Sequence, residues 1–319
     1  MTVKSSRIHS NLHRVSGRKT FHLAVTRLFP MTHPTLPDDS PASACMVSVI
    51  MLTMSRPQYL DPAIESVRKQ GFADWELIIV HDGTDPRIAP VVQSWVERDP
   101  RIRYFHRPIP GNIADGMNYG IARSRGRYIA VLDDDDAWIH PEKLRLQIDR
   151  LEQDPSLVAV GGGAVVVDGA QREVMRYKKS SDPEECRRRA LVSNPLIHST
   201  VLFRKDTALE IGLYDVGLAG YQDWDLWLKL MRRGNIMNLP EYFATYRVWN
   251  GGGSSRNVMA NAWSAVRIVN RHGGHYRGYV VALAANLGYM MFASLPGGVR
   301  RRSYQSLSRI KKRLFSTQN

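Results

Sequence analysis

An α/β fold with a mainly parallel sheet is expected from residue 46 onward, and two observations carry that expectation. Short apolar runs alternate with stretches whose apolar residues recur at helical spacing, which is the pattern of successive βαβ units. The apolar runs end in the polar stretches "TMSR", "HDGT" and "DDDD", and in such sheets ligands bind beyond the carboxyl ends of the strands.

The elements follow in order. "VSVIML" (47–52) is a β-branched first strand, and "LDPAIESVRKQ" (60–70) spaces Leu60, Ile64 and Val67 along one helix face. "ELIIVHDGT" (76–84) is a second strand closed by an Asp-Gly turn signal, followed by a helix over "APVVQSWVE" (89–97). "RIRYFH" (101–106) makes a third strand, "ADGMNYGIARSR" (114–125) a helix despite its glycines, and "RYIAVLDDDD" a fourth strand. Further on, "GYQDWDLWLKLMRRG" (220–234) sets Leu226, Trp227 and Leu230 on one face, so a helix begins near Asp223. No G-x-G-x-x-G follows the first strand and no GxxxxGK[ST] occurs, which argues against a dinucleotide oxidoreductase and a P-loop NTPase.

The net charge of +14 over 319 residues is uneven. Residues 1–45 carry +4 and residues 267–319 carry +10 without a single acid, so the central body, 46–266, is neutral with 28 basic and 28 acidic residues. A neutral body argues against nucleic acid as the partner. The two cysteines, Cys45 and Cys186, form no CxxC pair, which argues against a disulfide framework or zinc knuckle and fits a reducing, cytoplasmic setting. Residues 1–45 are expected to be a basic, disordered extension, with no apolar core of a secretory signal. "YVVALAANLGYMMFASLP" (279–296) lies at the lower limit for crossing a bilayer, and "RRRSYQSLSRIKKRLF" (300–315) suits an anionic membrane surface as a basic amphipathic helix. The same residues also fit a helical pair packed on the domain with a solvated basic tail.

Asp133, Asp134, Asp135 and Asp136 stand where a buried strand emerges, and Ala137 and Trp138 follow at once. Adjacent carboxylates repel, and burying one unpaired is costly. A solvated acidic loop is the ordinary reading of such a run. At a strand end beside a Trp, the carboxylates face a half-enclosed site, where a divalent cation removes the repulsion. Mg²⁺ and Mn²⁺ take one or two carboxylates and complete their shell with phosphate oxygens and water, which points to a diphosphate ligand. The phosphatase pattern DxDxT is disfavoured because Ala137 stands in place of its Thr.

Several stretches, in order, resemble a family 2 glycosyltransferase of the GT-A fold: "VSVIMLTMSRPQYLDPAIESVRKQ", "WELIIVHDGT", "NYGIARSRGRYIAVLDDDDAW", "GLYDVGLAGYQDWDLWLKL" and "YRVW". The resemblance covers residues 46–250 and implies a nucleotide-binding half (46–140) and an acceptor half (141–250). Residues 251–319 would be a flexible loop and a helical, apolar and basic extension. By position, the resemblance implies that Thr53 and Ser55 cradle the nucleoside and that Asp82 holds the base, although an Asp-Gly turn alone also explains Asp82. Asp133 and Asp135 match the outer positions of the DxD-type motif, toward ribose and a metal-bound diphosphate. Asp223 matches the general base, although an acid there also suits the first turn of a helix. Acceptor or lid candidates are Gln222, His198 in "NPLIHSTVLFR" (194–204) and Trp249, with "NGGGSSRN" (250–257) as a lid or a plain linker.

The implied activity is an inverting, Mn²⁺- or Mg²⁺-dependent transfer from a nucleotide-sugar, UDP- or dTDP-linked, to a saccharide or lipid-linked acceptor in polysaccharide or glycolipid assembly. The enzyme would work at the cytoplasmic face of a membrane. Four positions depart from the family pattern: Gln222 for Glu, Ser55 for Asn, Met117 for Arg and Trp249 for His. They leave room for a second reading, a catalytically degenerate binding module docking on anionic membrane or nucleic acid through its basic tails, which would show no Mn²⁺-dependent nucleotide affinity.

Overall fold

The computed structural model describes residues 45–248 and 257–295. The extension before Cys45, Trp249, most of the Gly-rich lid candidate and the basic segment beyond 295 lie outside these residues. The first half alternates as expected: β1 Val47–Thr53, α1 Pro57–Arg68, β2 Trp75–Asp82, α2 Ile88–Arg98, β3 Ile102–Arg107, α3 Ile113–Ala122 and β4 Tyr128–Val131. These strands lie parallel in the order β3-β2-β1-β4.

The second half is mixed where an all-parallel continuation would be simplest. It comprises β5 Ala137–Trp138, α4 Lys143–Gln153, β6 Leu157–Val167, β7 Glu173–Tyr177, α5 Pro183–Arg189, β8 Leu202–Arg204, α6 Lys205–Glu210, α7 Gln222–Leu230 and β9 Asn235–Arg247. The sheet continues β4-β8-β6-β9-β5, with β8 antiparallel to β4 and β6, β9 parallel to β6, and β5 antiparallel to β9. Two C-terminal helices follow, α8 Val258–His272 and α9 Tyr279–Ala293. Among the described residues no helix is long and apolar enough to cross a membrane.

Period-two alternation divides β1 between two cores. Val47, Val49 and Met51 join Leu60, Ile64, Leu77, Trp95 and Leu144 on one face. Ile50 joins Ile78, Val80, Ile121, Phe203 and Trp227 on the other. Strands covered on both faces read as continuous apolar runs, which is why they are conspicuous in the sequence. The glycines of α3 let that helix lie close on the sheet: a Cβ at Gly120 would come within 2.8 Å of Ile50 Cγ2. From α8, Ala265, Ile268 and Val269 enter the same core as Trp227.

Candidate active site

The aspartate run leaves the sheet after β4, and its side chains keep a strand-like alternation. Asp133 and Asp135 reach the cleft, 41% and 12% exposed, while Asp134 and Asp136 point into the protein. Trp138 anchors the far end of the run. Its Nε1 donates to Ser199 O at 2.8 Å and its backbone N–H to Ser66 Oγ at 3.0 Å. Beneath it the buried Lys143 Nζ lies 4.0 Å from the indole ring and donates to Gln147 Oε1 at 2.8 Å, and burial holds its pKa well below the usual lysine value.

Each inward carboxylate has its own reception. Asp136 accepts from Ser199 Oγ at 2.5 Å and from the Arg247 backbone N–H at 2.9 Å. Burial, with the charges of Asp133 and Asp135, pushes Asp136 well above the usual carboxylate range. Asp134 sits beside Thr53 and is ion-paired with the Arg56 guanidinium, which also pairs with Asp135. Burial pushes Asp134 up to about 7, although Arg56 and the Thr53 hydroxyl pull the other way. Only two of the four aspartates are therefore presented to a ligand.

His198 links the aspartate loop to the acceptor half. Its Nδ1 is 3.2 Å from Asp133 Oδ1 and its Nε2 is 3.1 Å from the Tyr214 hydroxyl. Burial works against its charge, yet the Asp133 carboxylate, with help from Asp223 and Asp136, lifts His198 to about 9. Burial likewise opposes ionisation of Asp133, and His198 and Arg56 hold that carboxyl below its ordinary value. Asp223 stands in the first turn of α7, partly exposed, and Asn194 Nδ2 donates to its Oδ2 at 2.7 Å. The residue that caps α7, Tyr221, is left-handed with φ of 59°, a strained conformation for a non-glycine and one that recurs next to functional groups.

His198 thus joins Asp133 of the aspartate run to Tyr214 and feels the charge of Asp223, while Thr53 is fully buried beside Asp134. Asp82 ends β2 on the other side of β1, buried, with Arg107 Nε 3.4 Å away and the Gly111 N–H donating to both its oxygens at 3.3 and 3.2 Å. Ser55 is exposed on the loop after β1. Gln222 is buried and donates to Leu218 O at 3.2 Å, so its amide serves the fold. Arg56, Asn194, Ser199, Tyr214 and Arg247 are partners that the sequence reading did not single out; Arg247 Nε donates to Asp135 O at 3.0 Å. Arg56 ends the same "TMSR" that supplied Thr53 and Ser55, and Ser199 follows His198, so proximity to chosen motifs was the available signal.

Among the described residues no three ligating side chains meet at one point. The donor set still fits a hard cation. Asp133 and Asp135 offer carboxylate oxygens at the mouth, which suits an ion that takes one or two carboxylates and shares a diphosphate.

Comparison with known proteins identifies the family and the fold. The profile of Glycosyl transferase family 2 matches residues 48–211. The O-antigen biosynthesis glycosyltransferase WbnJ of Escherichia coli is 30% identical over 210 residues, 64% of this chain and 80% of that protein. In another relative the matched stretch spans only 22% of its length. A mannosyltransferase of Pyrobaculum calidifontis, solved with GDP-Man and Mn²⁺, aligns with a TM-score of 0.58 at 14% identity, covering 87% of this chain and 84% of that one. S. aureus TarS 1–349 with UDP-GlcNAc aligns equally well, with a TM-score of 0.58 at 15% identity over 76% of this chain and 72% of that one. With the profile covering more than half of its residues and the sheet matching GT-A structures, the chain belongs to the family 2 glycosyltransferases.

Proposed function

We propose that the protein is an inverting transferase that moves a sugar from a UDP- or dTDP-linked donor to an acceptor hydroxyl in polysaccharide or glycolipid assembly. The observation that carries this reading is the bridge between the two halves. His198 Nδ1 meets Asp133 of the nucleotide half and its Nε2 meets the Tyr214 hydroxyl of the acceptor half, and the charge of Asp223 also bears on this imidazole.

Asp223 takes the proton of the acceptor hydroxyl as that oxygen attacks the anomeric carbon. Asn194 fixes Oδ2 of this carboxylate, and Oδ1 would take the proton. Asp133 and Asp135 would hold Mn²⁺ or Mg²⁺, which when bound offsets the charge growing on the departing diphosphate. Ser55, exposed after β1, would meet the nucleoside, with Thr53 buried behind it beside Asp134. Asp82, oriented by Arg107 and Gly111, accepts an N–H of the base. Donor choice rests on that contact: uracil and thymine both present an N–H between two carbonyls. The donor of the TarS complex carries uracil, and the archaeal neighbour carries guanine, so a panel must include GDP-sugars.

The test is slow hydrolysis of a nucleotide-sugar panel with Mn²⁺, read as nucleoside diphosphate release, alongside Asp135→Ala and Asp223→Asn. Turnover of one UDP- or dTDP-sugar is expected, lost in Asp135→Ala. With acceptor supplied, Asp223→Asn should lower kcat by about 10²–10⁴-fold, the usual contribution of a general base. A wild-type rate that survives Asp223→Asn within tenfold would remove Asp223 from its role.

A further inference from the structure

The helix α9 has an unusual surface. From Tyr279 to Ala293 it contains no charged residue, although only Ala282 and Ala293 are fully buried. Val280 is 75% exposed and Met291 74%, with Val281, Leu287 and Leu295 also exposed. Val280, Leu287 and Met291 recur at i, i+7 and i+11, so they form one stripe about 16 Å long at 1.5 Å per residue, and Leu295 follows just past the end of the helix. Surface helices normally turn charged residues to water, and an apolar face of this kind marks a contact site.

Charge decides among the occupants. Residues 267–319, which contain α9, carry ten Lys and Arg and no acid, while residues 46–266 are neutral; Arg267 and Arg271 are bonded within the fold, Arg277 directly precedes α9, and the other seven follow it in sequence at 300–313, outside the described residues. A second copy meeting this face would bring two such sets of cations together. Nucleic acid would take the cations and leave the apolar stripe in water. A bilayer with anionic headgroups satisfies both, with the stripe entering the headgroup–acyl boundary and the cations on the headgroups. A crossing helix is ruled out on length among the described residues, because fifteen residues reach about 22 Å against about 30 Å of hydrocarbon.

We propose that α9 seats the protein on an anionic bilayer, lying on the surface with its Val280–Met291 stripe inserted and the neighbouring basic residues on the headgroups. This inference does not depend on the donor or on the catalytic roles given above. It brings the enzyme to a lipid surface, where an acceptor carried on a lipid would be met.

The experiment is flotation of the full chain with vesicles of phosphatidylcholine alone and of phosphatidylcholine with one-third phosphatidylglycerol. The chain should float with the anionic vesicles and not with the neutral ones. Val280→Asp/Met291→Asp should lower that partition at least about tenfold, since two buried apolar side chains are replaced by anions. Both positions face solvent in the free protein, so the urea midpoint and donor hydrolysis of this variant should match wild type. Three outcomes would overturn the proposal: no flotation with anionic vesicles, flotation unchanged in the double variant, or a vesicle-free dimer that the double variant dissolves. The second would assign binding to the cations alone, and the third would assign the stripe to a second copy of the chain.

Discussion

Asp134 and Asp135 lie against one guanidinium, that of Arg56, Asp133 meets His198, and Asp136 accepts from Ser199 and the Arg247 N–H, so each of the four adjacent carboxylates has a partner. The two inward acids are accommodated differently from the two outward ones, and their protonation follows. Asp134, raised to about 7 by burial, holds a proton in the fold that the unfolded chain releases near its ordinary value of about 4. The folded state therefore binds more protons between those values, so this residue makes stability fall as pH rises from about 4 to about 7. Asp134→Asn should remove that component: the urea midpoint of the variant should change less between pH 5 and pH 8 than the wild type's. An equal change in both proteins would mean that Asp134 is ionised throughout. At this scale the sequence was informative about acids and silent about their partners. Asp133, Asp135 and Asp223 stood out because carboxylates at strand and helix ends are conspicuous. Arg56 and Asn194 did not, since their roles depend on residues 79 and 29 positions away.

The helix that carries Asp223 is held in place from behind. Asp225, two residues on, is fully buried and receives Arg271 Nη1 at 2.9 Å, His272 Nε2 at 2.9 Å and Lys229 Nζ at 3.2 Å, and Arg271 also reaches Asp215 at 2.6 Å. This network pins α7 to α8. Burial opposes ionisation of Asp225, but His272, Lys229 and Arg271 together bring it down to about 2. Because its folded pKa lies below the unfolded value, its contribution is complete above pH about 4 and disappears as pH falls toward 2. Asp225→Ala leaves the Arg271 and Lys229 cations and the buried His272 ring without their acceptor and should cost about 3–5 kcal/mol, measured as a lowered urea midpoint. A loss below about 1 kcal/mol would show that water compensates the cations. The four parallel strands and their helices were legible because each is local and apolar. The strands β6 and β9 were not, since their pairing is long-range and "GGGA" within β6 looks like a loop. The fold explains that run: a Cβ at Gly162 would collide with the Phe243 ring on β9.

At the scale of the whole molecule, the packing extends the catalytic unit past the resemblance, which stops at residue 250. Ala262, Ala265, Ile268, Val269 and His272 of α8 are buried, and Tyr276 donates to Leu228 O at 2.5 Å. None of these residues was assigned to the core from sequence, because the apolar stripe of α8 resembles that of any surface helix until its partner is known. We place the folding unit at 45–295. Burying an Ile or Val contributes about 1.5–3 kcal/mol, and the Asp225 network adds several more, against a total stability of about 5–15 kcal/mol for a typical domain. A piece covering 45–250 should therefore lose its cooperative urea transition and its near-UV circular dichroism. A piece covering 45–295 should keep both, together with donor hydrolysis, since it retains both cores and every side chain of the cleft described above. The shorter piece unfolding cooperatively would put the boundary back at 250 and make α8 an appendage; loss of folding in the longer one would assign structural work to the residues on either side.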